Sequence, residues 1–280
     1  MEPARMTRKK LRPDGSRVPR AVPAPRPEPD AEALSALERL TDTFPAPLRA
    51  FRDLGLLGAG RRWRLEQALA RRTRSFVLAI HGVHDPHNQA AVLRTAEAFG
   101  VQEVHVVRHE GTHFSPARGV TKDAHKWLDV VRHADFDAVK ATLSRRGMQV
   151  LAAALRDDAA PLYEVDFTKP TAVVFGNEAE GLPDEVVDAC DSTVVIPMYG
   201  LTQSLNISVA AAVVTAHAIE MRRQRWGAVG DLSEEEKMAL RIEWYRTAAA
   251  GRVPPSLAAA LDRMNPERHT ASTSRKENAP

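Results

Sequence analysis

The chain holds a single cysteine, Cys190, in 280 residues, so no intramolecular disulfide can staple the fold. A lone thiol suits a reducing compartment. Its place in a stretch expected to be helical, 183–190, points to packing and away from reactivity. No apolar run reaches the length that crosses a bilayer. The opening MEPARMTRKKLRPDGSR also lacks the apolar core of a secretory leader. The expectation is a soluble cytoplasmic protein with no membrane partner. Phosphate-cradling loops are missing too. HGVHDPHN follows the first expected strand where a G-x-G-x-x-G would stand, and no Walker loop occurs. Charge is nearly balanced, with 39 Lys and Arg against 36 Asp and Glu. The arginines nevertheless cluster, which points to a polyanionic partner.

What is present suits one α/β core with tails, since 44% of the residues are hydrophobic. Residues 1–46 are rich in Pro, Arg and Ala and are expected to form a disordered arm. Its basic beginning (Arg8, Lys9, Lys10, Arg12, Arg17, Arg20) is either merely solvated or an unspecific contact to nucleic acid. Residues 47–74 read as a short helix, a Gly-broken turn and a second helix. Arg61, Arg62 and Arg64 there are candidates for a phosphate backbone, while Trp63, Leu65 and Leu69 either anchor the helix or, for Trp63, meet a base. Strands are expected at SFVLAI (75–80), EVHVV (103–107), MQVLAAA (148–154), TAVVF (171–175) and TVVIP (193–197). Helices are expected at 88–99, 134–146 and 183–190. This alternation predicts a mostly parallel sheet covered by helices on both faces.

Several turns carry chemistry. His84 and His87 flank Asp85, but no further ligand stands nearby and no metal is expected. Asn88 reads as the N-cap of the following helix. On that helix Arg94 either pairs with Glu97 at i, i+3 or aims its donor fork at a phosphate or developing oxyanion. The loop 108–127 is long, basic and His-rich; Lys122, His125, Lys126 and Trp127 are either solvated or substrate-facing. The turn FGNEAEGLPDEV brings Gly176, Glu178 and Gly181 to a strand end. VVIPMYGLTQSLNIS then reads as a buried strand, a Gly-bearing loop and a helix start capped by Ser204 or Asn206. The helix beyond is built of Ala and Val and is expected to be buried or at an interface. Ligands of open α/β sheets collect at strand carboxyl ends, so one is expected against the loops 176–181 and 196–205. Uncharged Thr202, Gln203 and Ser204 there suit a neutral heterocycle or a ribose. SEEEKMALRIEWYRTAAA predicts a helix capped by Ser233.

Three segments, HDPHNQAAVLRTAEAFGV, VVFGNEAEGLPDEV and IPMYGLTQSLNISVAAAV, stand in this order. With AHKW and EWYRT, they make the chain resemble the SpoU branch of the SPOUT methyltransferases, most closely the TrmH-type tRNA guanosine 2′-O-methyltransferases. The resemblance implies a C-terminal trefoil knot around 194–210, bound S-adenosylmethionine, a homodimer, and methyl transfer to a ribose 2′-hydroxyl. It places Asn88, Arg94, Glu178, Ser204 and Asn206 on active-site positions, and Ile196 and Leu205 on cofactor-contacting ones. Ala153 stands where some relatives carry a cofactor-holding threonine; Gly176 and Met198 lie in the same two loops and join the cofactor set. Arg61, Arg62, Arg64, Lys122, His125, Lys126 and Arg222 form the expected RNA-binding set. The implied substrate is guanosine 18 of the tRNA D-loop. The runner-up is an rRNA ribose methyltransferase, and the rival from another class is a non-catalytic RNA-binding dimer. The expected division is a methyltransferase domain at 75–226, a helical extension at 227–264 and a disordered tail at 265–280.

Overall fold

The computed structural model describes residues 28–107, 117, 121 and 123–265. Three helices open it: α1 (Ala31–Asp42), α2 (Ala46–Asp53) and α3 (Ala59–Leu69). Then follow β1 (Phe76–His81), α4 (Pro86–Ala98), β2 (Glu103–Val107), β3 (Asp129–His133), α5 (Phe136–Ser144), β4 (Gln149–Ala153) and β5 (Ala160–Pro161). The chain continues with β6 (Thr171–Phe175), α6 (Asp184–Ala189), β7 (Ser192–Val195), α7 (Ile207–Trp226), α8 (Glu234–Ala249) and α9 (Pro255–Met264). The strands form one seven-stranded sheet in the order β3-β2-β1-β6-β4-β7-β5, with every pairing parallel.

Burial on both faces explains why the central strands are unbroken apolar runs. Along β1, Phe76, Leu78 and Ile80 pack with Val92 and Leu93 of α4 and Ala211 and Val214 of α7. Val77 and Ala79 point the other way, onto Phe136, Val139 and Leu143 of α5 and Val186 of α6. The period of two along a strand thus sorts one segment between two cores.

A third core is purely helical. Phe44, Phe51, Leu65 and Leu69 from the first part of the chain meet Leu240, Trp244, Tyr245 and Leu261 from the last. The two extensions at 47–74 and 227–264 are therefore one unit, assembled from segments far apart in the chain. Inside it Glu66 accepts from Arg241 Nε and Nη2, both at 2.8 Å, and from Tyr245 Oη at 3.0 Å. Asp231 fastens this unit to the foot of β1: its carboxylate accepts from Arg74 N at 2.9 Å, Thr73 Oγ1 at 2.5 Å and Ser75 Oγ.

Several expectations change. The arm expected at 1–46 contains α1, whose Asp30 cap accepts from Ala33 N and whose Leu37 is buried; residues 1–27 lie outside the described residues. Strands β3 and β5 were not anticipated, because edge strands need no long apolar run. The last long strand stops at Val195, not Pro197, and only its Thr193 and Val194 are buried. Asn88 is not the N-cap of α4. The helix begins at Pro86, whose fixed φ and missing N–H suit a first turn, and Asp85 caps it by accepting from His87 N at 2.8 Å. The Ser233 cap does form, as a capping box with Glu236.

Candidate active site

The carboxyl ends of β4, β6 and β7 and the start of α7 enclose a cavity of about 460 Å³. Phe175, Val194, Ile196, Leu205, Ile207 and Val214 give it apolar walls, and Glu178, Glu180, Asp184 and Arg156 stand around it. All five expected cofactor residues, Ala153, Gly176, Ile196, Met198 and Leu205, line it, and so do Glu178 and Ser204. A cavity at this end of a parallel sheet is where such folds hold ligands.

The 176–181 loop is possible only with glycine at its start. A Cβ on Gly176 would lie 2.1 Å from the carbonyl of Gly181, and Gly181 itself has φ +72°. Asn177 organises the turn. Its backbone exchanges two 3.1 Å hydrogen bonds with Gly181, and its Oδ1 accepts from Ala179 N at 2.9 Å and Glu180 N at 2.7 Å. Neither Asn177 nor Glu180 was singled out in the sequence; an Asn directly after a strand-end glycine was the available signal.

Three of the expected active-site residues meet, although they come from separate segments. Asn88 Nδ2 donates to Glu178 Oε1, and Asn206 Nδ2 donates to Asn88 Oδ1 at 3.2 Å. Asn206 Oδ1 in turn caps α7, accepting from Ser208 N at 2.9 Å. Each amide uses both its donor and its acceptor face, so the polarity runs one way from the helix start to the carboxylate. Ser204 is exposed and makes no side-chain hydrogen bond among the described residues. Neither Ser204 nor Asn206 hydrogen-bonds Arg94. Arg94 is exposed, with no hydrogen bond or ion pair among the described residues, and it does not line the cavity. Nor does it pair with Glu97, whose carboxylate goes to Arg72 at 3.2 Å.

A family model described as the SpoU rRNA Methylase family matches residues 75–216. The chain belongs to the SpoU methylase family. It is 44% identical over 167 residues to the tRNA (guanosine(18)-2′-O)-methyltransferase of Thermus thermophilus, covering 59% of this chain and 83% of that protein. The Escherichia coli enzyme of the same name is 36% identical, over 68% of this chain and 81% of its own. The crystal structure of the A. aeolicus TrmH/SpoU tRNA modifying enzyme superposes with a TM-score of 0.61 at 30% identity, covering 76% of this chain and 98% of that one.

Around this SpoU core the expected RNA-binding residues divide. Arg61 is exposed, with its guanidinium 5.7 Å from the Trp127 ring centre. Arg64 and His125 are half-buried; Lys126 is exposed and pairs with Asp123 at 2.9 Å. Lys122 lies outside the described residues. Two assignments are corrected. Arg62 is 3% exposed and donates to Glu38 at 2.7 Å and Thr41 at 2.9 Å, holding α1 onto α3. Arg222 is fully buried and donates to Ser75 Oγ, the Ser75 carbonyl and the Lys169 carbonyl at 2.5, 2.8 and 2.7 Å. Neither guanidinium can reach RNA from there; their work is structural. Trp127 faces inward, edge-on to Trp244 at 5.7 Å. Cys190 caps α6 half-buried, and burial pushes its thiol up to about 11, consistent with a packing role.

Proposed function

We propose that this chain methylates the ribose 2′-hydroxyl of guanosine 18 in the tRNA D-loop, using S-adenosylmethionine. The observation that carries this reading is the cavity at the ends of β4, β6 and β7, whose lining Glu178 is joined to Asn88 and through it to Asn206. Its apolar walls suit a nucleoside, and three carboxylates against one arginine suit a ligand of net positive charge. Arg156 is itself held by Asp184 at 2.8 Å and Asp188 at 2.7 Å, so the acidic balance stands. Ala153, Gly176, Ile196, Met198 and Leu205 would hold the cofactor. When bound it supplies a methyl group already activated on a sulfonium.

The protein's share is then to position a hydroxyl and manage its proton. Asn206 fixes Asn88, and Asn88 fixes the Glu178 carboxylate, so that Glu178 stands ready as the proton acceptor. Ser204, free at the cavity wall, is placed to hydrogen-bond the ribose. Arg94, with its fork of guanidinium donors, clamps the phosphate and stabilises the alkoxide as it forms. Arg61 and Lys126 hold the tRNA backbone without reading sequence.

The proposal includes the trefoil knot at 194–210, supported by membership of the SpoU family, and a homodimer. The dimer is supported by large apolar side chains left in water: Tyr199 and Leu201, 95% and 103% exposed, and Val209 on α7. Sedimentation of the purified protein as a monomer at micromolar concentration would remove the dimer. The segment 75–226 carries the chemistry, the helical unit steadies the RNA, and a cytoplasmic location follows from the substrate. Among the described residues no helix is long and apolar enough to cross a membrane. The deciding experiment offers labelled S-adenosylmethionine with unmodified tRNA transcripts and with ribosomal RNA in parallel. Label at the guanosine 18 ribose is expected; label only in rRNA would replace this reading, and none in either RNA would favour a non-catalytic binder.

A further inference from the structure

We infer that Glu180 receives the α-ammonium group of the cofactor; this rests on the cofactor reading above. Glu180 lines the cavity on the 176–181 loop. Its backbone N–H is pinned to Asn177 Oδ1 at 2.7 Å, while its exposed carboxylate has no partner among the described residues. The other two carboxylates of the cavity are engaged. Glu178 accepts from Asn88, and Asp184 accepts from Arg156 at 2.8 Å. Among the described residues Glu180 is thus the one carboxylate lining the cavity with its charge uncommitted, on a backbone already ordered by the Asn177 turn. The backbone therefore loses little freedom when a cation arrives, and only the side chain remains to be ordered.

The ligand offers two positive centres, and they differ chemically. An ammonium presents three N–H donors, which an ionised carboxylate can accept. A sulfonium is wrapped in carbon and donates nothing. Its methyl must also face the acceptor hydroxyl, on the side of Glu178, Asn88 and Asn206. Glu180 therefore matches the amino-acid end, and the engaged group matches the reacting end.

Calorimetric titration of the full chain and its Glu180→Gln variant tests this with three ligands: S-adenosylmethionine, S-adenosylhomocysteine and methylthioadenosine. The first two carry the ammonium and the third does not. Glu180→Gln should weaken the first two about tenfold and leave methylthioadenosine and the melting temperature unchanged. Weakening of S-adenosylmethionine alone would assign the contact to the sulfonium and overturn the inference. Equal weakening of all three, or of none, would overturn it as well. Failure of the unaltered chain to bind any of the three would remove the cofactor reading itself, a different result from a silent Glu180→Gln.

Discussion

Arg94 on α4 and Arg222 on α7 sit on helices packed against each other, yet they are opposites. Arg94 is exposed and unpaired among the described residues. Arg222 is enclosed, donates to two carbonyls and a hydroxyl, and lies 3.7 Å from Asp231 and 5.0 Å from the Trp226 ring centre. Arg72 repeats the second pattern, donating to the Val101 carbonyl at 3.2 Å and to Glu97, with its guanidinium 4.8 Å from the Trp244 ring centre. At the joint between the helical unit and the sheet, the guanidinium is a cross-linking part: its Nη groups donate to backbone oxygens, while the Nε of Arg72 and of Arg222 has no partner among the described residues. On the exposed side of α4 it is a free charge. A buried arginine is tolerated when most of its hydrogen-bonding capacity is met; an uncommitted one is available for function.

Substitutions can break this contrast, and the largest effect should come at Arg94. Arg94→Ala should lower turnover about 1,000-fold, the scale of losing an oxyanion stabiliser, with cofactor affinity and melting temperature unchanged in calorimetry. Arg94→Lys should also be poor, because a point charge does not reproduce the fork; retention of most activity would defeat the clamp. Arg222→Ala should act the other way. It should cost about 3 kcal/mol of stability in urea titration, as removal of one partner from a buried polar network does. The folded fraction should keep its cofactor affinity. Gly176→Ala should weaken cofactor binding about tenfold or more, because accommodating its Cβ opens the 176–181 loop. Arg61→Ala, at an exposed site, should change stability by no more than about 0.5 kcal/mol. It should raise KM for tRNA more than it lowers kcat. A triple substitution of Arg61, Arg62 and Arg64 would confuse the two roles, since Arg62 holds α1.

The smallest effect expected is a pH dependence at the sheet edge. Burial, and then the neighbouring His105, hold His133 below the usual imidazole range, and its Nε2 lies 2.9 Å from His105 Nδ1. The unfolded chain therefore takes up the proton more readily than the folded one. Stability from this pair should be complete above pH of about 6.5 and fall as the pH drops below it. Urea midpoints of the native chain and of His133→Gln between pH 5 and 8 should differ in slope on the acid side (on the order of one proton). Glu103 needs a lower pH to respond. Burial opposes its charge, yet His105 Nε2 at 3.5 Å and the charges of Arg74 and Arg146 hold it at about 2.

Local pattern made much of the core legible. EVHVV and TAVVF form strands at the expected bounds because continuous β-branched runs have few other uses. The loops at 176–181 and 196–205 were placed at strand ends by their glycines, and the cavity is there. Other features were set by neighbours distant in the chain. Asp85 displaced Asn88 as the cap of α4, which left the Asn88 side chain free to bridge Glu178 and Asn206. The α1 helix was missed although DAEALSALERLTDTF spaces Ala33, Leu37, Leu40 and Phe44 at helical intervals behind the Asp30 cap; the Pro- and Arg-rich composition before it masked the pattern.

Composition, periodicity and strand-end turns by themselves determined the class of fold, the end of the sheet that holds a ligand, and the residue types around it. Side-chain period and glycine conformation are local properties, so the chain carries them wherever it folds. Only the tertiary structure decided which arginines are charges and which are struts, and that residues 47–74 and 227–264 are one unit. It also decided that Glu178, Asn88 and Asn206 touch across gaps of 90 and 118 residues. Burial and hydrogen-bond partnership are properties of the neighbours a fold brings in, and those neighbours are not adjacent in the chain.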